Sequence, residues 1–344
     1  MANRIAYLTG KQKIEIKEAP VQKMLDDSVM VEVEYCGVCG SDVYFYEGGM
    51  CGPDVLPFPV ILGHECAGKV VEIGKNVSRF KVGDKVCLEP GVPCGKCEFC
   101  MSGRYNLCPD VEFMAAPPNY QGALRTYVVH PEHMAFKLPD VLDTLDGALV
   151  EPLSVGFHAA EQGGASFGKK VVILGAGCIG FMTMMACQAM GVSDITVVDL
   201  FDKRLQKAKE LGASRIVNAS TDNTVEKCLE MNRGGADIVF ETAGSPFTTR
   251  QTGALVKPGG TIVLVGNTHG EVPYDFFEIM NKEVTVKCVF RYRNLYELVI
   301  AAIASGKADP KKIVTSVYGF DETPRAFEES VSNKQDIIKA VIKY

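Results

Sequence analysis

Residues 171–199 contain a pattern that few folds accommodate. Val171-Val172-Ile173-Leu174 is a short apolar β-type run, and Gly175-Ala176-Gly177-Cys178-Ile179-Gly180 follows it directly. Ile179–Met190 then has helical character, and the next apolar run, Ile195–Val198, leads into Asp199. A strand, a G-x-G-x-x-G turn and a helix together suit a pyrophosphate. Glycines allow the tight turn and close backbone approach, while the helix N-terminus supplies N–H groups and a favourable dipole. Gly175, Gly177, Ile179 and Gly180 are therefore candidate cofactor-binding residues. An acidic side chain at Asp199 can accept hydrogen bonds from both adenosine ribose hydroxyls and repels a 2′-phosphate, which favours NAD over NADP. The plainer role for Asp199 is to cap the next helix, but the sextet in register upstream favours the cofactor role. Arg204 is near enough to meet a phosphate, although the carboxylate should dominate.

The same rhythm continues around this motif. Lys203–Leu211 reads as a charged helix, and Ala236–Phe240 and Thr261–Val265 are further apolar runs, the second introduced by the turn Lys257-Pro258-Gly259-Gly260. Strands alternating with helices predict βαβ units and a parallel sheet over 153–288. Residues 1–152 differ. Short β-type runs such as Val29–Val33 and Lys69–Ile73, closely punctuated by Gly and Pro, predict a mainly antiparallel β domain. From 289 onward the amphipathic segment Leu295–Ile303 and the β-type run Ile337–Ile342 are expected to fold back onto that first domain. A chain of 344 residues is long enough for two cores.

Composition excludes several classes. With 47% hydrophobic and 23% charged residues the chain resembles an ordinary soluble protein, and a net charge of −6 without a basic arm gives no reason to expect a nucleic-acid partner. Val171–Val192 is uncharged and mostly apolar, yet its glycines and Gln188 fit a strand, turn and packed helix better than a membrane span. The opening Met1-Ala2-Asn3-Arg4-Ile5 lacks a signal-peptide core, so a cytoplasmic location is expected.

In a reducing compartment the 13 cysteines point to metal rather than disulfides. Cys94, Cys97, Cys100 and Cys108 form C-x2-C-x2-C-x7-C, the spacing of a closed, structural four-thiolate zinc site. An iron–sulfur cluster is the rival, since cysteine triplets with two-residue gaps also serve ferredoxins. A second candidate centre combines Cys39, from Cys36-Gly37-Val38-Cys39-Gly40-Ser41-Asp42, with His64 and Glu65, from Gly63-His64-Glu65-Cys66-Ala67-Gly68. Thiolate, imidazole and carboxylate with one open position is the pattern of catalytic zinc. Cys36 and Cys66 read as buried thiols, and His130, His133, His158 and His269 lack partners at ligand spacing.

Gly63-His64-Glu65-x-x-Gly68, then Gly74 and Val77, resembles the signature of the zinc-dependent medium-chain alcohol dehydrogenases. The Cys39 segment, the four-cysteine lobe and the glycine sextet follow in that family's order, so the likeness covers essentially the whole chain. It implies a GroES-like catalytic domain (1–152 and 289–344, with the zinc lobe at about 90–110) interrupted by a Rossmann domain (153–288), with the site in the cleft between them. It also implies two zinc ions per chain, and a homotetramer. Leu149-Val150-Glu151-Pro152 and Val289-Phe290-Arg291-Tyr292 are similar to segments of the sorbitol (polyol) dehydrogenase subgroup. By that likeness Glu151 lies beside the catalytic zinc, directly or through water, and Arg291 meets substrate hydroxyls. Val265, Gly266 and Asn267, with Val289, Phe290 and Arg291, would line the nicotinamide pocket. Ser41 would receive or pass on the substrate proton. Tyr44, Phe45 and Tyr292 would lie against substrate. Two positions depart from the family pattern, Phe45 where an aromatic hydroxyl is common and Tyr44 where a relay histidine is common; Tyr44 and Tyr46 are the candidate replacements. The expected activity is NAD-linked oxidation of a secondary alcohol of a sorbitol- or xylitol-type polyol to the ketose. Threonine, glucose and simple secondary-alcohol dehydrogenases, a zinc-free reductase of the same superfamily and a non-catalytic zinc- and dinucleotide-binding scaffold are the alternatives.

Overall fold

The computed structural model describes residues 3–51 and 54–344; Met1 and Ala2, part of the opening segment read for a leader, lie outside the described residues. The chain divides into two compact units, Met1–Glu151 with Tyr296–Ala304 and Pro310–Tyr344, and Pro152–Leu295 with Ser305–Asp309.

The first unit is mainly antiparallel β. Among the described residues its largest sheet has seven strands, with Ser28–Gly37 at the centre. That strand's Val29, Val31 and Val33 are at most 1% exposed, so their β-branched side chains meet the core as strand propensity favours. Glu65–Ile73 pairs along one edge of the central strand and the C-terminal strand Lys339–Lys343 along the other, both antiparallel. Tyr127–Pro131 also pairs with the central strand, through residues 28–32. The register puts Gly37 opposite both Glu65 and Val341. One hydrophobic cluster, including Val31, Val33, Cys36, Val70, Leu88 and Ile342, packs against this sheet.

The second unit carries a six-stranded parallel sheet in the order Arg215–Asn218, Asp194–Asp199, Lys170–Leu174, Ala236–Glu241, Val256–Leu264, Thr285–Cys288. Numbered along the chain this is 3-2-1-4-5-6, the doubly wound order in which the direction reverses beside the first strand. The sextet follows that strand and opens the helix Cys178–Ala189. The Lys257–Gly260 turn lies inside a strand: Val256 pairs with Ala236, the register shifts, and pairing resumes at Thr261. Pro258 has no N–H to donate and Gly259 has φ +69°, so these residues bulge out while the flanking backbone stays in the ladder. The helix Val150–Gly163, unread in the sequence, tolerates Pro152 in its first turn, where backbone N–H groups need no partner within the helix. Among the described residues no helix is long and apolar enough to cross a membrane.

Candidate metal centres and dinucleotide loop

Two strand ends build the first centre. The central strand ends at Gly37, and Cys39 follows as the extended N-cap of the helix Gly40–Gly48. A thiolate there meets the positive end of the helix dipole. His64 and Glu65 stand at the start of the neighbouring strand, and both are buried. One ligand atom from each of Cys39, His64 and Glu65 lies within 4.8 Å of the others. Asp42, itself buried, orients the imidazole: its Oδ2 lies 3.5 Å from His64 Nδ1 while its Oδ1 accepts from the Gly63 N–H at 3.3 Å. That leaves His64 Nε2 as the ligand nitrogen, the usual carboxylate–histidine–metal arrangement. Burial opposes a charge on His64, but the Asp42 carboxylate and the Cys39 sulfur outweigh it and raise the imidazole well above its ordinary value. Two anionic groups converging on a buried imidazole fit a dication, and the donor set is that of zinc with a position left open.

Around this set, the Ser41 hydroxyl donates to Cys39 Sγ at 3.3 Å. Glu65 forms a buried ion pair with Lys339. Burial pushes the Cys66 thiol up to about 12, as suits a core side chain. Glu151, in the first turn of Val150–Gly163, is buried and near enough to act electrostatically on Cys66 and Glu89, but is outside the mutually close ligand set. Tyr44 is partly exposed, its ring 6.1 Å from that of Phe45. Tyr46 packs on Phe327 in the core, which leaves Tyr44 as the more exposed side chain of the two.

In the second centre, the sulfurs of Cys94, Cys97, Cys100 and Cys108 all lie within 4.8 Å of one another. Cys97 and Cys100 are 3.4 Å apart, and Cys94 and Cys100 4.0 Å. Tetrahedral Zn–S bonds of about 2.3 Å separate sulfurs by about 3.8 Å, so the space suits one ion rather than a polynuclear iron–sulfur cluster. Backbone N–H groups of Lys96 and Cys97 lower the Cys94 thiol to about 7, favouring the thiolate a metal needs.

The glycine loop is held from both sides. Gly175 has φ +107°, and a Cβ on Gly180 would come 1.9 Å from the Gly175 carbonyl oxygen. Gly177 is the N-cap of the helix that opens at Cys178, with Ile179 in its first turn. The Asp199 carboxylate accepts from the Ala176 N–H at 2.7 Å and the Phe201 N–H at 3.0 Å. It therefore sits at the loop itself. The Arg204 guanidinium stacks 5.4 Å from the Phe201 ring centroid, and its Nη1 lies 3.8 Å from where a Cβ on Gly177 would stand. Val265 and Gly266 both donate to the Glu241 carbonyl at 2.9 Å, Asn267 lies against Gly244, and Val289 donates to Leu264. Phe290 is exposed, with the Arg291 guanidinium 4.7 Å from its ring centroid; Tyr292 is buried. Sequence reasoning missed the roles of Asp42, Lys339 and Glu241. Asp42 stood in a quoted motif but carried no pairing signal. Glu241 ties two loops together, its carboxylate accepting from Ala243, Gly244 and Thr248.

Comparison with known proteins agrees with this architecture. The alcohol dehydrogenase GroES-like domain matches residues 25–140, and the zinc-binding dehydrogenase domain matches 178–305. The chain belongs to the zinc-dependent medium-chain alcohol dehydrogenases and is an oxidoreductase with a GroES-like unit and a Rossmann unit. Within that family it is sorbitol dehydrogenase-like. It is 39% identical to the sorbitol dehydrogenase of Bacillus subtilis, over 98% of this chain and 96% of that one. It is 51% identical to an uncharacterized zinc-type alcohol dehydrogenase-like protein, YdjJ, of Escherichia coli, over 98% and 97%. A putative zinc-binding dehydrogenase from Sinorhizobium meliloti, solved with NADP bound, superposes with a TM-score of 0.91 at 27% identity, covering all of both chains. Zinc and a nicotinamide dinucleotide are thus the family's cofactors here.

Proposed function

We propose that this protein oxidises a secondary alcohol of a sorbitol- or xylitol-type polyol to the ketose and passes the hydride to NAD. The convergence of Cys39 with the buried His64 and Glu65 carries this reading. Cys39, His64 and Glu65 would hold zinc, whose Lewis acidity would lower the pKa of a bound hydroxyl toward neutrality. The nicotinamide ring supplies the hydride acceptor. Ser41, beside the ligand sulfur, would relay the proton released: its Oγ would accept that proton while its own hydroxyl hydrogen, turned from the sulfur, passes to water. Glu151 completes the metal's surroundings directly or through water, and Arg291 holds neighbouring hydroxyls, with Tyr44, Phe45 and Tyr292 shaping the substrate site. Gly175, Gly177, Ile179 and Gly180 cradle the pyrophosphate, Val265–Asn267 and Val289–Arg291 flank the nicotinamide, and Asp199 selects NAD over NADP against the pull of Arg204. Cys94, Cys97, Cys100 and Cys108 hold a second, structural zinc. The preference for polyols rests on the likeness to sorbitol dehydrogenases and on Glu151 and Arg291 at the matching positions.

Thiolates kept reduced for two metals suit a cytoplasmic protein. A homotetramer is supported by the edge strand Thr285–Cys288, every residue of which is exposed, and by exposed Phe276, Phe277 and Met280 on the preceding helix. The test is a polyol panel with NAD and with NADP, following reduced cofactor by absorbance. His64→Ala should lower turnover by at least about a thousandfold while leaving NADH binding intact, as loss of a metal-held electrophile requires. Full activity in that variant would refute the zinc mechanism.

A further inference from the structure

The most unusual side chain near the first centre is a cation. Lys339 is 1% exposed, lies 274 residues from Glu65 in sequence, and donates from Nζ to Glu65 Oε2 and, at 3.1 Å, to the Val38 carbonyl. Both side chains of the pair are at most 2% exposed. They approach from opposite flanks of the central strand, and they meet over Gly37. A Cβ there would stand 1.9 Å from Glu65 Oε2 and 3.0 Å from Lys339 Cε. The missing side chain is the opening through which the lysine reaches the ligand.

Resting on the zinc reading above, we propose that Lys339 is a positioning residue that withholds one carboxylate oxygen of Glu65 from the catalytic metal and so keeps a coordination position open for substrate. With Oε2 held by the ammonium, Glu65 has one oxygen left to give. The set Cys39, His64 and Glu65 would then give three donor atoms, and the fourth position would belong to water or alcohol, with Glu151 reached through that water. Charge points the same way. Cys39 thiolate, Glu65 carboxylate and Lys339 ammonium together carry −1, and without the lysine they carry −2. A buried positive charge this close repels a dication, so a site shaped only for metal affinity has no use for it. Its effect is to trade tightness for an open, less shielded metal.

The test loads the full-length protein with cobalt(II), whose visible absorption reports its ligands, and removes it with a competing chelator. The Cys94–Cys108 site serves as an internal reference that the variants leave unchanged. Lys339→Met should slow cobalt release from the Cys39–His64–Glu65 site by about tenfold, within the range by which groups behind a ligand tune metal affinity. It should also abolish the spectral change that alcohol produces in the parent protein, because Oε2 then fills the position. Lys339→Arg, which keeps charge and donors, should retain parental release and response. In a Glu65→Gln background, Lys339→Met should change release by less than about twofold, since the coupling partner is gone. If Lys339→Met fails to fold because a buried carboxylate is stranded, Lys339→Gln keeps one donor and carries the same test with a smaller slowing. Unchanged or faster release, or an intact alcohol response, overturns the proposal. A parent protein that takes up no cobalt at the Cys39 set overturns the zinc reading instead.

Discussion

Glu89 and His130 sit back to back in the first unit, and each holds a charge state that burial imposes. Burial raises the Glu89 carboxyl to about 7, partly offset by the Tyr105 hydroxyl at 2.8 Å and reinforced by Glu151. Burial lowers the His130 imidazole to about 4, and its Nε2–H donates to the Glu89 carbonyl at 2.9 Å. Their effects on stability oppose each other. The folded state holds the Glu89 proton more tightly than the unfolded chain, so stability falls as pH climbs from about 4.5 through 7. The folded state resists charging His130, so stability is lost as pH falls from 6.5 through about 4. Between 4.5 and 6.5 the two slopes largely cancel. Glu89→Gln removes the first. It should be more stable than the parent at pH 8, by roughly 1–3 kcal/mol on the scale of about 1.4 kcal/mol per pKa unit, and nearly equal to it at pH 4. Thermal melts across that range decide the matter; parallel curves for the two proteins would sink it.

The glycine loop behaves as one element, because a strand end, a turn and a helix start share the same few ångströms. Gly180 is where the helix backbone crosses the Gly175 carbonyl, leaving no room for a methyl group. Gly180→Ala should therefore push the helix away from the strand. Overpacking of this kind costs about 1–3 kcal/mol of stability. NADH affinity, measured by titration calorimetry, should fall at least tenfold, a loss of about 1.4 kcal/mol. Zinc content should stay at the parental value, since both metal sets lie in the other unit. Undiminished NADH binding would show that the loop is not the pyrophosphate cradle.

At the level of the whole molecule, the strand Thr285–Cys288 leaves, among the described residues, an unpaired sheet edge, with Val286 and Cys288 exposed. Such an edge invites pairing with a like strand, and the apolar residues of Phe276–Asn281 lie just upstream. Val286→Lys places a charge on that edge. Light scattering after gel filtration should show a smaller species than the parent protein, at a concentration where the parent is uniform. An unchanged mass would count against this edge as a contact in the proposed tetramer.

Local order was legible in the chain because local physics writes it. Val171–Leu174, the sextet and Asp199 fall where a strand, turn and second strand require them, and four cysteines two to seven residues apart can hardly avoid one another. The central strand was partly readable too, since Val29–Val33 lies within Ser28–Gly37. Helices escaped notice where their start was masked, as at Val150–Gly163, whose proline reads as a breaker until its place in the first turn is known. Contacts across the sheet left no trace in the sequence. Asp42 meets His64, and Lys339 meets Glu65, because strand register carries distant segments side by side. Spacing and residue type named the ligands, since those act over a few bonds of chain. Burial, and the charge each ligand faces, came from packing, since a carboxylate's neighbours are chosen by the fold and not by the residues beside it.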